Sequence, residues 1–252
     1  GADGLVLNSH HFEGERLVSS SASGGVTGGI GRVLTQETEE MEWGALKYLD
    51  LRADVIDLSH IEYKKNIRLL GLIGFELLQD FEIFIDFQLR QITLSRVDRK
   101  GHLLDTLSAL EKPADSLEFK LINYVIVLPV RVGGKKAAFS LDTGAEVNLL
   151  DRFVSRRVLD HFEILKRVKL NGTGPNSVEV LAGRLSSVQC GAVFCRPMQT
   201  LLTNLDDIEE VYGFSLDGVL GFEFLFRRRV AINYRREMLY FYPWYDQNEQ
   251  RP

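Results

Sequence analysis

The residues with the clearest chemical character are Phe139-Ser140-Leu141-Asp142-Thr143-Gly144-Ala145, an apolar run that ends on an acid, a hydroxyl and a glycine. A lone Asp at a strand end is ordinarily a turn former or a cap. It becomes a catalyst when a second carboxylate faces it. Two carboxylates about 3 Å apart cannot both ionise, so they hold one proton between them. The ionised member then acts as general base toward water, and the protonated member as general acid toward a carbonyl. The titration belongs to the pair. Such a pair hydrolyses an amide without metal, cofactor or covalent nucleophile, and none of these is expected here. Five histidines are scattered, and no glycine-flanked serine follows a strand. His10-His11 lacks an acid or cysteine cluster at ligand spacing, and reads as a solvent-facing strand end.

The elements that position Asp142 are strands. Leu117 to Ile122 and Val125 to Val132 come first, Gly133-Gly134-Lys135-Lys136 is a turn signal, and the short strand Ala137 to Leu141 follows. This pattern predicts a hairpin whose second strand delivers the acid at its end. Pro129 inside the run predicts an edge or a bulge. The chain returns to apolar at Val147 to Leu150. Asp151 to His161 is expected to be helical, and Leu201 to Val211 partly so.

The chain repeats itself. Gly71-Leu-Ile-Gly-Phe-Glu-Leu-Leu78 matches Gly218-Val-Leu-Gly-Phe-Glu-Phe-Leu225, 147 positions later and without a gap. Ile83 to Phe87 continues into Val230 to Tyr234, and Gln91 to Leu94 into Met238 to Phe241. At the front, Gly1-Ala2-Asp3 matches Gly144-Ala145-Glu146 at an offset of 143, so a net difference of four residues falls before Gly71. On this alignment the first copy begins on the glycine of its own acid-bearing triplet, with its Asp and Thr upstream of Gly1. Asp3 then aligns with Glu146 and is no second acid. Asp217 aligns with Leu70 and reads as structural.

Ser140-Leu141-Asp142-Thr143-Gly144-Ala145-Glu146 and Asp217-Gly-Val-Leu-Gly-Phe222 together resemble the aspartic peptidases, and the retropepsin-like branch more than the two-lobed pepsins. Ser140 departs from the apolar residue of the family pattern. The resemblance covers about residues 116 to 242. It implies an all-β fold of two barrel-like lobes about a pseudo-two-fold axis, with a cleft between them. It implies an aspartic endopeptidase, with Asp142 catalytic, Thr143 bracing the opposite lobe, and Gly144 permitting the turn and aiming its N–H at the carboxylate. Ala145 would lie against substrate. The Ser- and Gly-rich stretch from Ser19 to Gly31 would be a flap, with Gly28 and Gly29 at its tip, and Gly172, Thr173 and Gly174 its counterpart. Glycine suits a flap because it lets backbone approach a bound chain. Ile73 and Leu220 should be buried behind the acid turns.

The expected organisation is a first lobe over 1–98, a linker over 99–115 and a second lobe over 116–252. Residues 36 to 70 read as strands, Gly74 to Leu78 as the opening of a short helix, Phe81 to Leu94 as a hairpin, and His102 to Leu110 as a helical turn or two. The tail from Trp244 is frayed or surface-bound. With 252 residues, 45% of them hydrophobic, the chain can bury a sizeable core. A net charge of -5 with interspersed signs argues against nucleic acid. No run approaches a membrane span, and no signal peptide is visible at the start. The partner is a peptide or protein substrate, and a two-lobed monomer is favoured over a dimer that pairs Asp142 from two chains. Cys190 and Cys195 could bridge a tight hairpin or remain two buried thiols. They leave the compartment open, with the periplasm or secretion favoured over the cytoplasm. A peptide-binding module that keeps the groove without catalysis is the competing reading.

Overall fold

A computed structural model describes residues 2–12, 18–20, 23–25, 28–30, 33–105, 111–171 and 177–243; side chains of 18–33, 170, 171, 177 and 178 are left aside. Described residues are predominantly strands, so the all-β class expected from the sequence is the class observed. Two compact units are formed. One comprises Gly1–Leu78, Lys169–Glu179 and Asp206–Phe214, and the other Gln79–Val168, Val180–Leu205 and Ser215–Pro252.

The first unit starts with β1 (Leu5–Asn8), β2 (Val18–Ser20), β3 (Ser23–Gly25), β4 (Gly28–Ile30), β5 (Val33–Trp43) and β6 (Leu46–Ile56). Helix α1 (Ser59–Lys65), β7 (Gly71–Ile73) and α2 (Phe75–Leu78) follow. Its sheet runs β2-β5-β6-β1-β7, with β1 parallel to β6 and antiparallel to β7. Leu5, Leu7, Ala53, Val55 and Leu77 form its core, and Ile73 packs half-buried against them. Ser20 faces Val33 and Ser23 faces Ile30, so β2–β5 and β3–β4 share one register.

Helix α1 replaces the strand expected around residues 59–65. The Asp57 carboxylate accepts the Ser59 N–H at 2.9 Å. Lys64 and Lys65 sit in the last turn, where cations suit the helix dipole. Asn66 then ends the helix in the left-handed conformation, its N–H on the Glu62 carbonyl.

The second unit contains β8 (Phe81–Asp86), β9 (Gln91–Arg96), β10 (Asp115–Glu118), β11 (Lys120–Ile122), β12 (Val125–Val132), β13 (Lys135–Leu141) and β14 (Asn148–Asp151). After α3 (Arg156–Leu159) come β15 (Phe162–Asn171), β16 (Ser177–Leu185), β17 (Val188–Cys190), β18 (Val193–Phe194) and β19 (Met198–Thr203). Helix α4 (Asp206–Tyr212), β20 (Gly218–Leu220), α5 (Phe222–Leu225), β21 (Arg229–Asn233) and β22 (Met238–Tyr242) complete the described chain. The ends of β15 and β16 and all of α4 belong to the first unit.

Strands β12 and β13 form the expected hairpin, turned by Gly133 and Gly134 at positive φ. The register carries no bulge at Pro129, which faces Ala138. On its other side β12 pairs β11 as far as Val127 and β17 from Val130, so Pro129 falls between those two partners. Its missing N–H breaks no ladder there. The helix expected over 151–161 is reduced to α3. Phe153 N–H donates to the Asp151 carboxylate at 3.0 Å and Val154 N–H to the Asp151 carbonyl at 3.3 Å, which turns the chain instead. Residues 102–105 are not helical, and 106–110 lie outside the described residues, as does the tail from 244.

A second sheet of this unit runs β10-β22-β21-β8-β9. Phe84 faces Ala231, Ile85 faces Val230 and Ile83 faces Ile232. Phe84 and Ala231 are 147 positions apart, so the pairing is symmetric about them. The β8–β9 hairpin, which the sequence assigns to the first copy, is thus hydrogen-bonded to the strand of matching sequence in the second.

Ser140 is 1% exposed, and its hydroxyl has no hydrogen-bond partner among the described residues. A buried, unpaired hydroxyl costs free energy. Ser140→Ala should therefore raise stability by about 1 kcal/mol, read as a higher urea midpoint; a lowered midpoint would mean that the hydroxyl has a partner.

Candidate functional site

The site begins where β13 ends. Phe139, Ser140 and Leu141 are buried and Asp142 is half-buried. Its backbone N–H donates to the Leu220 carbonyl at 2.9 Å, which extends the β13–β20 ladder by one rung. Gly144 N–H donates to Asp142 Oδ1 at 2.9 Å, and Ala145 N–H to the Asp142 carbonyl at 3.2 Å. The carboxylate is therefore oriented by its own loop. Thr143 and Gly144 are exposed, and Ala145 is half-buried.

Strand β20 lies between β13 and β14, parallel to the first and antiparallel to the second. The chain entering the acid loop and the chain leaving it pair with the same strand. This works only because β20 starts on Gly218 and is followed by Gly221. A Cβ on Gly218 would lie 2.5 Å from the Leu149 carbonyl oxygen and 2.3 Å from the Phe139 ring. A Cβ on Gly221 would lie 2.4 Å from the Ala145 carbonyl oxygen. That same oxygen accepts the Phe222 N–H at 2.7 Å, so α5 starts directly on the acid loop. By contrast, a Cβ on Gly144 would meet only Asp142 Oδ1, at 3.3 Å. Gly144 supplies its N–H, while the steric need for glycine falls on Gly218 and Gly221.

Asn148 was not singled out by sequence reasoning. It is fully buried at the start of β14, its Oδ1 accepts the Gly221 N–H at 2.9 Å, and its Nδ2 approaches Met198 Sδ at 3.5 Å. A polar residue heading the apolar Asn148-Leu149-Leu150 run was the available signal. Tyr234 was also missed. Burial, and then the negative charge of Asp142, push its phenol up to about 12. It stays protonated across the physiological range, with its ring edge-to-face with Phe119 at 6.4 Å between centroids. The signal was an added hydroxyl, because the matching position of the repeat is Phe87.

Asp217 has the structural role read from the sequence. Its Oδ2 accepts the Ala138 N–H at 2.7 Å, and its own N–H donates to the Ala138 carbonyl at 2.8 Å. Leu220 is fully buried. The Thr143 hydroxyl has no hydrogen bond among the described residues. His10 and His11 follow β1, where His11 Nε2 meets Glu62 Oε1 at 2.7 Å. Of the expected flap residues, Gly28 and Gly29 lie on β4 opposite Gly25 and Gly24, in the first unit. Gly172, Thr173 and Gly174 lie outside the described residues.

The first unit has a matching set of contacts. Phe75 N–H donates to the Ala2 carbonyl at 3.3 Å, and a Cβ on Gly74 would lie 2.4 Å from that oxygen. Leu58 N–H donates to Asn8 Oδ1 at 3.0 Å, as Leu205 N–H does to Asp151 Oδ1 at 3.3 Å. Leu5 faces Ile73 and Ala53 across β1, and Asn148 faces Thr200 where β14 meets β19.

No family model matches the chain. No curated protein matches it either. Among solved structures, a retropepsin-like aspartic protease from Rickettsia conorii is a distant likeness, with 16% identity over 52% of this chain and 95% of that one, at a TM-score of 0.34. No described helix is long and apolar enough to cross a membrane.

The close approach at the acid loop gives a stability contrast. Gly221→Ala should cost about 1–3 kcal/mol, because the methyl group meets backbone that cannot move aside. Gly144→Ala should cost clearly less, since its neighbour is a side-chain oxygen. Urea denaturation of both variants measures the difference, and equal losses would refute it.

Proposed function

We propose that this chain belongs to an aspartic endopeptidase built from two retropepsin-like lobes. Asp142 supplies one carboxylate of the catalytic pair. Its partner comes from the matching acid loop of the first lobe. The observation that carries this reading is the recurrence, at Ala2, Gly74 and Phe75, of the contacts that hold the acid loop at Ala145, Gly221 and Phe222. It supports a second acid loop of the same build, and hence a second Asp.

On this reading water sits between the two carboxylates. The ionised member removes a proton as the oxygen attacks the peptide carbonyl, and the other member protonates the carbonyl oxygen. The amide nitrogen is protonated as the carbon–nitrogen bond breaks. Gly144 N–H orients the Asp142 carboxylate. The hairpin bearing Gly28 and Gly29 closes over the substrate backbone. Substrate is an extended polypeptide, and two lobes in one chain make a monomer sufficient.

Asp142→Asn in the full-length parent chain should lower cleavage of an unfolded protein by about a thousandfold or more, since it removes acid–base chemistry while keeping shape. Proteolysis at the wild-type rate, followed by gel or mass spectrometry, would rule the enzyme out. A parent chain that never cleaves but binds extended peptides would select the non-catalytic module.

A further inference from the structure

Cys190 and Cys195 lie away from the acid loop and are both free thiols. They belong to the hairpin β17–β18, whose loop is Gly191-Ala192, with Gly191 at a φ of 60°. Cys190 faces Val193, and the Cys195 N–H continues the ladder by donating to the Val188 carbonyl at 2.8 Å. Side chains 190, 193 and 195 therefore share one face of the hairpin, with the two cysteines as diagonal neighbours. Each side chain lies close enough to act on the titration of the other.

The two thiols have different surroundings. Cys190 is fully buried, while Cys195 lies just past the end of β18 and is partly exposed. Arg227 reaches the same segment, with its Nη2 donating to the Pro197 carbonyl at 3.1 Å. Arg228 comes next in the chain, its guanidinium 5.7 Å from the Phe241 ring centroid. The Cys190 side chain, then the charges of Arg228 and Arg227, hold the Cys195 thiol below its ordinary range against the effect of burial. The Cys195 side chain and burial push the Cys190 thiol up. Cations therefore act on Cys195, whereas an inert core cysteine is buried in apolar surroundings without them.

We propose that Cys190 and Cys195 form a redox-active dithiol that is oxidised by hydroperoxides and closes to an intramolecular disulfide. The Cys195 thiolate attacks the terminal oxygen of the hydroperoxide. The oxygen–oxygen bond breaks, Cys195 becomes a sulfenic acid, and the alkoxide leaves and takes a proton. The Cys190 sulfur then attacks the Cys195 sulfur, a sulfur–sulfur bond forms, and water departs with the Cys190 proton. Two electrons pass from the dithiol to the peroxide, and a low-molecular-weight thiol returns them. Residues 195–197 are outside any strand, so this segment can supply the adjustment that disulfide geometry requires. The proposal is independent of the reading of Asp142.

The test uses the whole chain with hydrogen peroxide, followed by alkylation and intact-mass measurement. Both thiols should lose reactivity toward the alkylating reagent, the mass should fall by two hydrogens, and dithiothreitol should restore both. Cys190→Ala should stall at the sulfenic acid, trapped by dimedone on Cys195, and Cys195→Ala should leave Cys190 alkylatable. The wild-type measurement decides the matter if the Cys190 variant fails to fold. The proposal is overturned if wild type keeps both thiols alkylatable under peroxide that fully oxidises free glutathione, if the disulfide joins two chains, or if Cys195 is oxidised while Cys190 remains a free thiol.

Discussion

Close backbone approach at the acid loop is the constraint on which the second unit depends. With a Cβ at position 221, the start of α5 would collide with the Ala145 carbonyl. With a Cβ at 218, β20 could not slot between β13 and β14. Both contacts concern the same short segment, and both include a backbone carbonyl oxygen, so no rotamer change relieves them. Asp142 is therefore fixed less by its own neighbours in sequence than by a strand that returns much later and pairs with the chain on both sides of it. Asn148 adds a buried hydrogen bond to the Gly221 N–H, satisfying a donor that the narrow packing shields from water.

The first unit uses the same device. A Cβ on Gly71 would lie 2.1 Å from the Val6 carbonyl oxygen, the counterpart of Gly218 against Leu149. Strand β7 pairs β1 as β20 pairs β14, in the same register once both offsets are applied. The pairings of β1 with β6 and of β14 with β19 then place the four-residue length difference between Asn8 and Ala53. That segment includes the glycine-rich hairpin, where surface loops tolerate added length at low cost.

The sheet containing Phe84 and Ala231 has a different logic. Two hairpins of matching sequence present the same edge to each other, so an antiparallel pairing about a local two-fold satisfies both at once. Buried Ile83, Val230, Ala231 and Ile232 line this pairing. Two edges that would otherwise invite other chains are thereby closed.

The all-β class, the β12–β13 hairpin, the acid at its end and the repeat were all legible in the sequence. Each rests on local signals: alternation of apolar residues, turn glycines, or identity between two stretches. Other features were not legible because they depend on partners distant along the chain. Helix α1 hid in a mixed segment, its Ser59 N–H held by the Asp57 carboxylate and its Glu62 joined to His11. Asp151 was read into a helix because its ties to Phe153 and Leu205 leave no periodic trace. The roles of Asn148 and Tyr234 arise only when β14, β20 and β21 are assembled. By itself the sequence determined where Asp142 stands and that two stretches 147 positions apart match, since composition and repetition are properties of the chain. Only the tertiary structure decided what anchors the loop that carries that acid, because β20 meets β13 and β14 through hydrogen bonds and close packing rather than through proximity in sequence.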